Sequence, residues 1–203
     1  MSHRIETIDE LERLYDRPLV TTVGKESPRI NDLYRRLIEA APFCAVASVG
    51  PEGMDFSPRG DGPGFVRILD DRTLAIPDRR GNNRLDTLRN IVRDGQVALL
   101  FIIPGLNEIL RVNGTAWLST DPDLMAAFAV NGKRPVSAIM VTVETMYFQC
   151  ARALKRSKLW DAASQVDPKT LPSAGELIRS VISDFDCDRY DAELQARQAR
   201  TLY

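Results

Sequence analysis

Leu74-Ala75-Ile76-Pro77-Asp78-Arg79-Arg80-Gly81-Asn82-Asn83-Arg84-Leu85 is the most informative stretch of the sequence. An apolar, strand-like run ends at Pro77, and three arginines and two asparagines then arrive within one tight turn. Leu85, Leu88, Ile91 and Val92 follow at helical spacing and predict a helix from about Asn83 to Arg93. A phosphate monoester is held by charge-assisted, bidentate guanidinium donors. It is also held by free backbone N–H groups at the positive end of a helix. This stretch offers both, and Gly81 lets the backbone approach an anion closely. The competing reading is a solvated surface turn, with Asp78 pairing an arginine and Asn82 or Asn83 capping the helix. The residues do not say whose phosphate would bind.

Outward from this elbow the pattern is mostly β. Phe43 to Val49 is β-rich and turns through Gly50-Pro51-Glu52-Gly53 into Met54 to Ser57 as a hairpin partner. Pro58 to Gly64 is dense in turn formers and predicts a loop. Phe65 to Leu69 and Thr73 to Ile76 read as short strands around Asp70-Asp71. Beyond the helix, Val97 to Ile103 and Ile109 to Leu118 are long strands. Asp121-Pro122-Asp123 caps a short helix through Ala129, with proline at the favoured first position. Ala138 to Phe148 alternates Ile139, Val141 and Val143 against Met140, Thr142 and Glu144 as a further strand. Leu11, Leu14 and Tyr15, then Leu33, Leu37 and Ile38, give two amphipathic helices before the strands, and from Ala151 onward the chain reads as helix and loop. Counted as six barrel strands with few helices between them, this predicts a mainly β (α+β) protein. A small Greek-key barrel is the natural architecture, because closure removes exposed edges.

Composition narrows the chemistry. The chain has 203 residues, 44% hydrophobic and 27% charged, with a formal net charge of −1. Such a balance predicts one globular domain over 1–203 and no nucleic-acid partner, so any basic feature must be local. The apolar run from Val97 to Ile103 is too short to span a bilayer, and no apolar leader opens the sequence. The three cysteines (Cys44, Cys150, Cys187) lack a CxxC pattern and predict reduced thiols and a cytoplasmic setting. His3 is the single histidine, which removes Ser-His-Asp, Cys-His and His-ligated metal chemistry. An enzyme built this way needs an organic cofactor. Gly60-Asp61-Gly62-Pro63-Gly64-Phe65 fails as GxGxxG, because Phe65 replaces the third glycine. Gly132-Lys133 is followed by Arg134 and lacks the upstream glycine of a P-loop.

The strand-loop-strand set from Phe43 to Ile76, then PDRRGNNR opening a helix and two long strands, resembles the pyridoxamine-phosphate-oxidase-like family of FMN-binding split barrels. It is particularly similar to a bacterial branch with Ser57-Pro58-Arg59-Gly60-Asp61, Pro77 to Arg84, and Cys150 to Trp160. The resemblance covers about 31–161 and leaves 1–30 and 162–203 as helical extensions. It implies a homodimer with FMN in a groove between subunits. The phosphate would meet Arg79, Arg80, Asn82, Asn83 and Arg84, with Asp78 beside them. The Pro58 to Asp61 loop, including Arg59 and Gly60, would border the isoalloxazine ring, and the opposite subunit would contribute Arg156, Ser157 and Trp160.

On this reading Arg59 is expected to stabilise negative charge near flavin N1, and FMN to serve an oxidoreductase whose substrate or reduced nicotinamide donor is open. Alternatives are a flavin carrier without turnover, or a relative binding F420 or haem. Cys150 and Trp117 are expected to be packed in the core, while Arg111 and Asn113 face either the groove or solvent. The family's vitamin B6 oxidase grips its substrate with an arginine and a histidine near its C-terminus. The segment from Asp188 to Tyr203 contains no histidine, which argues against vitamin B6 oxidation.

Overall fold

The computed structural model describes residues 3–203. Its centre is one antiparallel sheet of seven strands in the order β2-β1-β5-β6-β7-β4-β3. These are β1 (Phe43–Gly50), β2 (Gly53–Gly60), β3 (Arg67–Ile68), β4 (Thr73–Pro77), β5 (Gln96–Ile102), β6 (Ile109–Ser119) and β7 (Ala138–Gln149). The count is seven rather than six because each run named from the sequence forms a strand. β3 is reduced to a two-residue edge, and Phe65 and Val66, expected in it, are instead buried in the core.

Strands far apart in the sheet share one core. Cys44 and Val46 of β1 pack in the same cluster as Leu74 and Ile76 of β4, with Leu99, Val112 and Val141 between them. A flat sheet cannot bring its two sides together in this way, so the sheet curls round its apolar face. The opposite face of β4 and β7, Ala75, Ala138 and Met140, packs separately against Met125 and Phe128. Alternation along β4 and β7 thus feeds two cores. It reverses once: the register shifts opposite Asn113/Gly114, after which Met146 rather than an odd-numbered residue points inward.

Helices surround the sheet: α1 (Ile8–Glu12), α2 (Val20–Val23), α3 (Asp32–Ala40), α4 (Asp86–Arg93), α5 (Pro122–Ala127), α6 (Arg152–Ser157), α7 (Ala174–Arg179) and α8 (Cys187–Thr201). In α3 the Asn31 side chain caps the Tyr34 N–H at 2.9 Å. α5 begins as expected, with Asp121 capping and Pro122 at the first position. Leu14 and Tyr15 fall outside α1 and are exposed. Among the described residues no helix is long and apolar enough to cross a membrane.

Two packing expectations fail. Trp117 is 46% exposed on the outer face of β6, because the inward positions there belong to Val112 and Ala116. Cys150 is exposed just past the end of β7, whereas Cys44 and Cys187 are buried. Burial in the barrel pushes the Cys44 thiol up to about 12, against the opposing pull of Arg59.

Candidate functional site

The elbow lies where the two sides of the curled sheet meet. β2 and β4 are five places apart in the strand order, yet Arg59 of β2 reaches Asp78, just past β4, at 3.2 Å. Alongside, Arg79 Nε donates to Asp61 at 2.8 Å, and both side chains are largely buried. These two ion pairs bridge the split between the strands. Arg59 therefore pairs with Asp78, and Asp78 with none of the elbow arginines. Pro58, Arg59 and Gly60 stand in β2 opposite Ala45, Cys44 and Phe43 rather than in a loop. Proline is tolerated there because β2 is an edge strand.

The helix begins later than its spacing suggests. Asn83 adopts φ 58°, a left-handed conformation that interrupts helical progression and that asparagine tolerates better than most residues. α4 starts at Asp86, and its N-cap Leu85 makes no side-chain cap. Asn82 Oδ1 instead accepts the Arg84 N–H at 3.0 Å. Arg84 pairs with Asp86 at 2.5 Å, and the Thr87 hydroxyl donates to the Asp55 carboxylate. Carboxylates already occupy the positive end of α4, so an anion in this cleft would depend on side chains and loop amides, not on the helix terminus. α4 is tied to the β1–β2 hairpin through Asn90 Nδ2, which donates to Ser48 Oγ at 3.2 Å and to Gly53 O at 3.3 Å. That anchorage stretches the segment 78–85 across the split.

Two adjoining clefts result, of about 550 and 650 Å³. The first is lined by six cationic side chains, Arg59, Arg79, Arg80, Arg84, Lys133 and Arg134, and by the single carboxylate of Asp78, with Asn82 and Asn83 beside them. The second takes in Pro58, Gly60 and Asp61 and shares Arg59, Arg79, Arg80, Gly81 and Asn82. Nothing lies within 4 Å of a Cβ built on Gly81, so its backbone borders open space. Nine sequence-predicted residues (Arg59, Gly60, Asp61, Asp78, Arg79, Arg80, Asn82, Asn83 and Arg84) thus meet at one place. Arg156, Ser157 and Trp160 line neither cleft. Ser157 Oγ donates to Leu154 O at 3.0 Å, and Trp160 Nε1 donates to Leu106 O at 2.8 Å.

The cations differ in availability. Arg79 is heavily used: besides Asp61, its Nη1 donates to Phe128 O at 2.7 Å, and its guanidinium lies 5.6 Å from the Tyr203 ring centroid. Arg80 and Arg134 make no ion pair with any described residue. Arg59 Nε is buried without a hydrogen-bond partner among the described residues. Burial pushes the Asp78 carboxyl above its ordinary range and outweighs the attraction of Arg59. Asp61 moves the other way: burial raises it, but the Tyr203 phenol, the Gly62 N–H and Arg79 together bring it below the usual range.

Lys133, Arg134 and Tyr203 join the site without having been singled out for it. Asn131 (φ 52°) and Gly132 (φ 76°) form a tight turn, closed by paired Val130–Lys133 backbone hydrogen bonds at 3.0 and 2.9 Å. Asn-Gly is the strongest short signal for this turn type, so a basic pair carried on a rigid tip is a feature the sequence holds. Nothing in the sequence places that tip beside the elbow.

A family model described as pyridoxamine 5'-phosphate oxidase matches residues 30–150, more than half of the chain. No curated protein matches. Among solved structures, HupZ of Group A Streptococcus is 20% identical, with a TM-score of 0.47 over 59% of this chain and 93% of that one. An FMN-binding protein from Syntrophomonas wolfei is 12% identical, with a TM-score of 0.43 over 57% and 88% of the two chains. An F420 reductase is 20% identical, with a TM-score of 0.41 over 59% and 98%. The family match covers every strand of the curled sheet and the whole elbow. By that match this chain belongs to the pyridoxamine 5'-phosphate oxidase family and carries its split-barrel fold.

Proposed function

We propose that this chain binds FMN across the split and works as an FMN-dependent oxidoreductase, as a homodimer with the cofactor at the subunit interface. The observation that carries this reading is the first cleft, where six cationic side chains and one acidic side chain form the lining and Arg80 and Arg134 are unpaired among the described residues. A phosphate dianion is the ligand group such an arrangement favours.

The residues fit the cofactor. Arg80, Arg134, Lys133 and the 81–84 loop would hold the phosphate. Arg59 would stand beside the flavin ring, where its buried, unpartnered Nε has a donor to give. When bound, FMN supplies two-electron chemistry by accepting a hydride. The chain's own part is to bind, orient and exclude water. Arg59 holds fixed positive charge at the ring, partly neutralised by Asp78, and such preorganised charge favours an electron-rich reduced ring. Asp61 and Arg79 keep the second cleft in shape through their ion pair. The absence of a placed histidine is compatible with this chemistry, because hydride transfer needs no imidazole.

The test is the identity of the ligand released from purified protein, by mass spectrometry and absorbance. FMN is the expected species; F420, haem or no ligand overturns the reading. Arg80→Ala with Arg134→Ala should lower flavin occupancy at least tenfold with little change in melting temperature, since neither guanidinium holds another part of the fold. Arg79→Ala is the poorer test, because Arg79 also ties β2, β4 and α5 together.

A further inference from the structure

Among the described residues Tyr203 makes two hydrogen bonds and one cation–π contact, all with residues that line the two clefts. Its hydroxyl donates to Asp61 Oδ1 at 2.7 Å. Its ring lies over the Arg79 guanidinium at 5.6 Å. Its main-chain oxygen accepts from Lys133 Nζ at 2.9 Å. It lines both clefts, as does the Arg79 beneath its ring. The segment that holds it follows α8, whose Cys187 end is buried, so the helix is anchored at its far end and its last residues reach across to the split.

These contacts consume what a phosphorylated ligand would use. Lys133 is occupied by a main-chain oxygen and the face of Arg79 by an aromatic ring, and Tyr203 lies where the cleft of Arg80 and Arg134 adjoins the cleft of Pro58 and Asp61. A small anion needs only the corner. An elongated ligand, with its phosphate at Arg80 and its ring at Arg59, needs both clefts at once.

We propose that Tyr203 is a gate: latched on Asp61, Arg79 and Lys133 it closes the passage between the two clefts, and it swings out when an elongated phosphorylated ligand binds. The inference rests on the proposed function for the identity of that ligand. A gate closed about nine-tenths of the time weakens apparent affinity about tenfold, because only the open fraction is competent to bind.

FMN and inorganic phosphate are titrated into the full chain, Tyr203→Ala and Tyr203→Phe, with melting temperatures recorded for each. The gate predicts FMN binding about tenfold tighter and faster in Tyr203→Ala. It predicts a smaller gain in Tyr203→Phe, which keeps the ring and loses only the bond to Asp61, and inorganic phosphate affinity changed by less than threefold in both. Unchanged or weaker FMN binding in both variants overturns it. If no form takes up FMN, the FMN reading fails by itself, and the gate is then decided with AMP as a nucleotide probe of comparable reach: tighter in Tyr203→Ala sustains it, equal affinity ends it.

Discussion

At the scale of the residue, the chemistry of the split is set by how two carboxylates are housed. Asp61 accepts from Tyr203, Gly62 and Arg79, and its carboxyl lies below the ordinary value of 3.8 despite the opposing effect of burial. A carboxyl lowered on folding contributes stability that is complete above its unfolded pKa and drains away as pH falls through the folded one. Asp61→Asn should therefore cost about 2 kcal/mol at pH 7, the scale of lost charge-assisted hydrogen bonds in a partly buried pair. Its melting temperature should then fall less steeply than wild type below about pH 4. Parallel acid limbs in a calorimetric pH series would remove Asp61 from this role. Asp78 runs in the opposite sense: raised by burial, it favours folding more at acid pH and less as pH rises. The comparison between wild type and Asp61→Asn cancels that background. The elbow arginines were legible in the sequence as a cationic cluster; which of them are free was not. Arg79 and Arg80 are adjacent and chemically alike, and only the positions of Asp61 and Phe128 separate a structural guanidinium from an available one.

At the scale of the element, strands were more legible than their ends. Apolar alternation locates β1, β5, β6 and β7 within a residue or two of their observed limits, since each has one face in a core. β2 runs three residues past the expected Ser57, because pairing with β1 continues through Pro58-Arg59-Gly60 and outweighs their local preference for turns. α4 starts three residues late, because Asn83 takes a left-handed conformation and the 78–85 segment spans a gap rather than winding. The register shift beside Gly114 is a tertiary feature with a side-chain requirement. A Cβ there would sit 2.0 Å from Thr142 O, an overlap that only backbone displacement relieves. Gly114→Ala should destabilise the fold by about 3 kcal/mol or prevent it forming, the range for overpacking in a closed site. A urea midpoint within error of wild type would show that β6 and β7 can slide to accept it.

At the scale of the whole molecule, the outer face of the sheet carries apolar side chains with no cover in a single chain. Phe56 is 66% and Met54 is 82% exposed on edge strand β2, on the face of the strand opposite to Arg59. Exposed apolar surface of this kind marks an association site, and the proposed homodimer places it at the subunit interface. Phe56→Asp should shift the protein from dimer to monomer in sedimentation and lower flavin retention with it. A wild-type monomer at micromolar concentration would overturn the dimer. Arg156, Ser157 and Trp160 line neither cleft of their own chain, and in the proposed homodimer they would reach the split of the partner.

Sequence by itself determined the kind of fold and the presence of a cationic turn at the end of one strand. Periodicity is a local property, and so is a run of guanidiniums beside asparagines and glycine; both are written in neighbouring residues. Tertiary structure alone decided that strands near opposite sides of the sheet meet through Arg59–Asp78 and Asp61–Arg79, that the Lys133-Arg134 turn closes the cationic cleft, and that Tyr203 lies across it. Those contacts join residues between 18 and 142 positions apart. They exist because burying one apolar face makes the sheet curl, and no pattern within a short window of sequence encodes where a curled sheet comes back to itself.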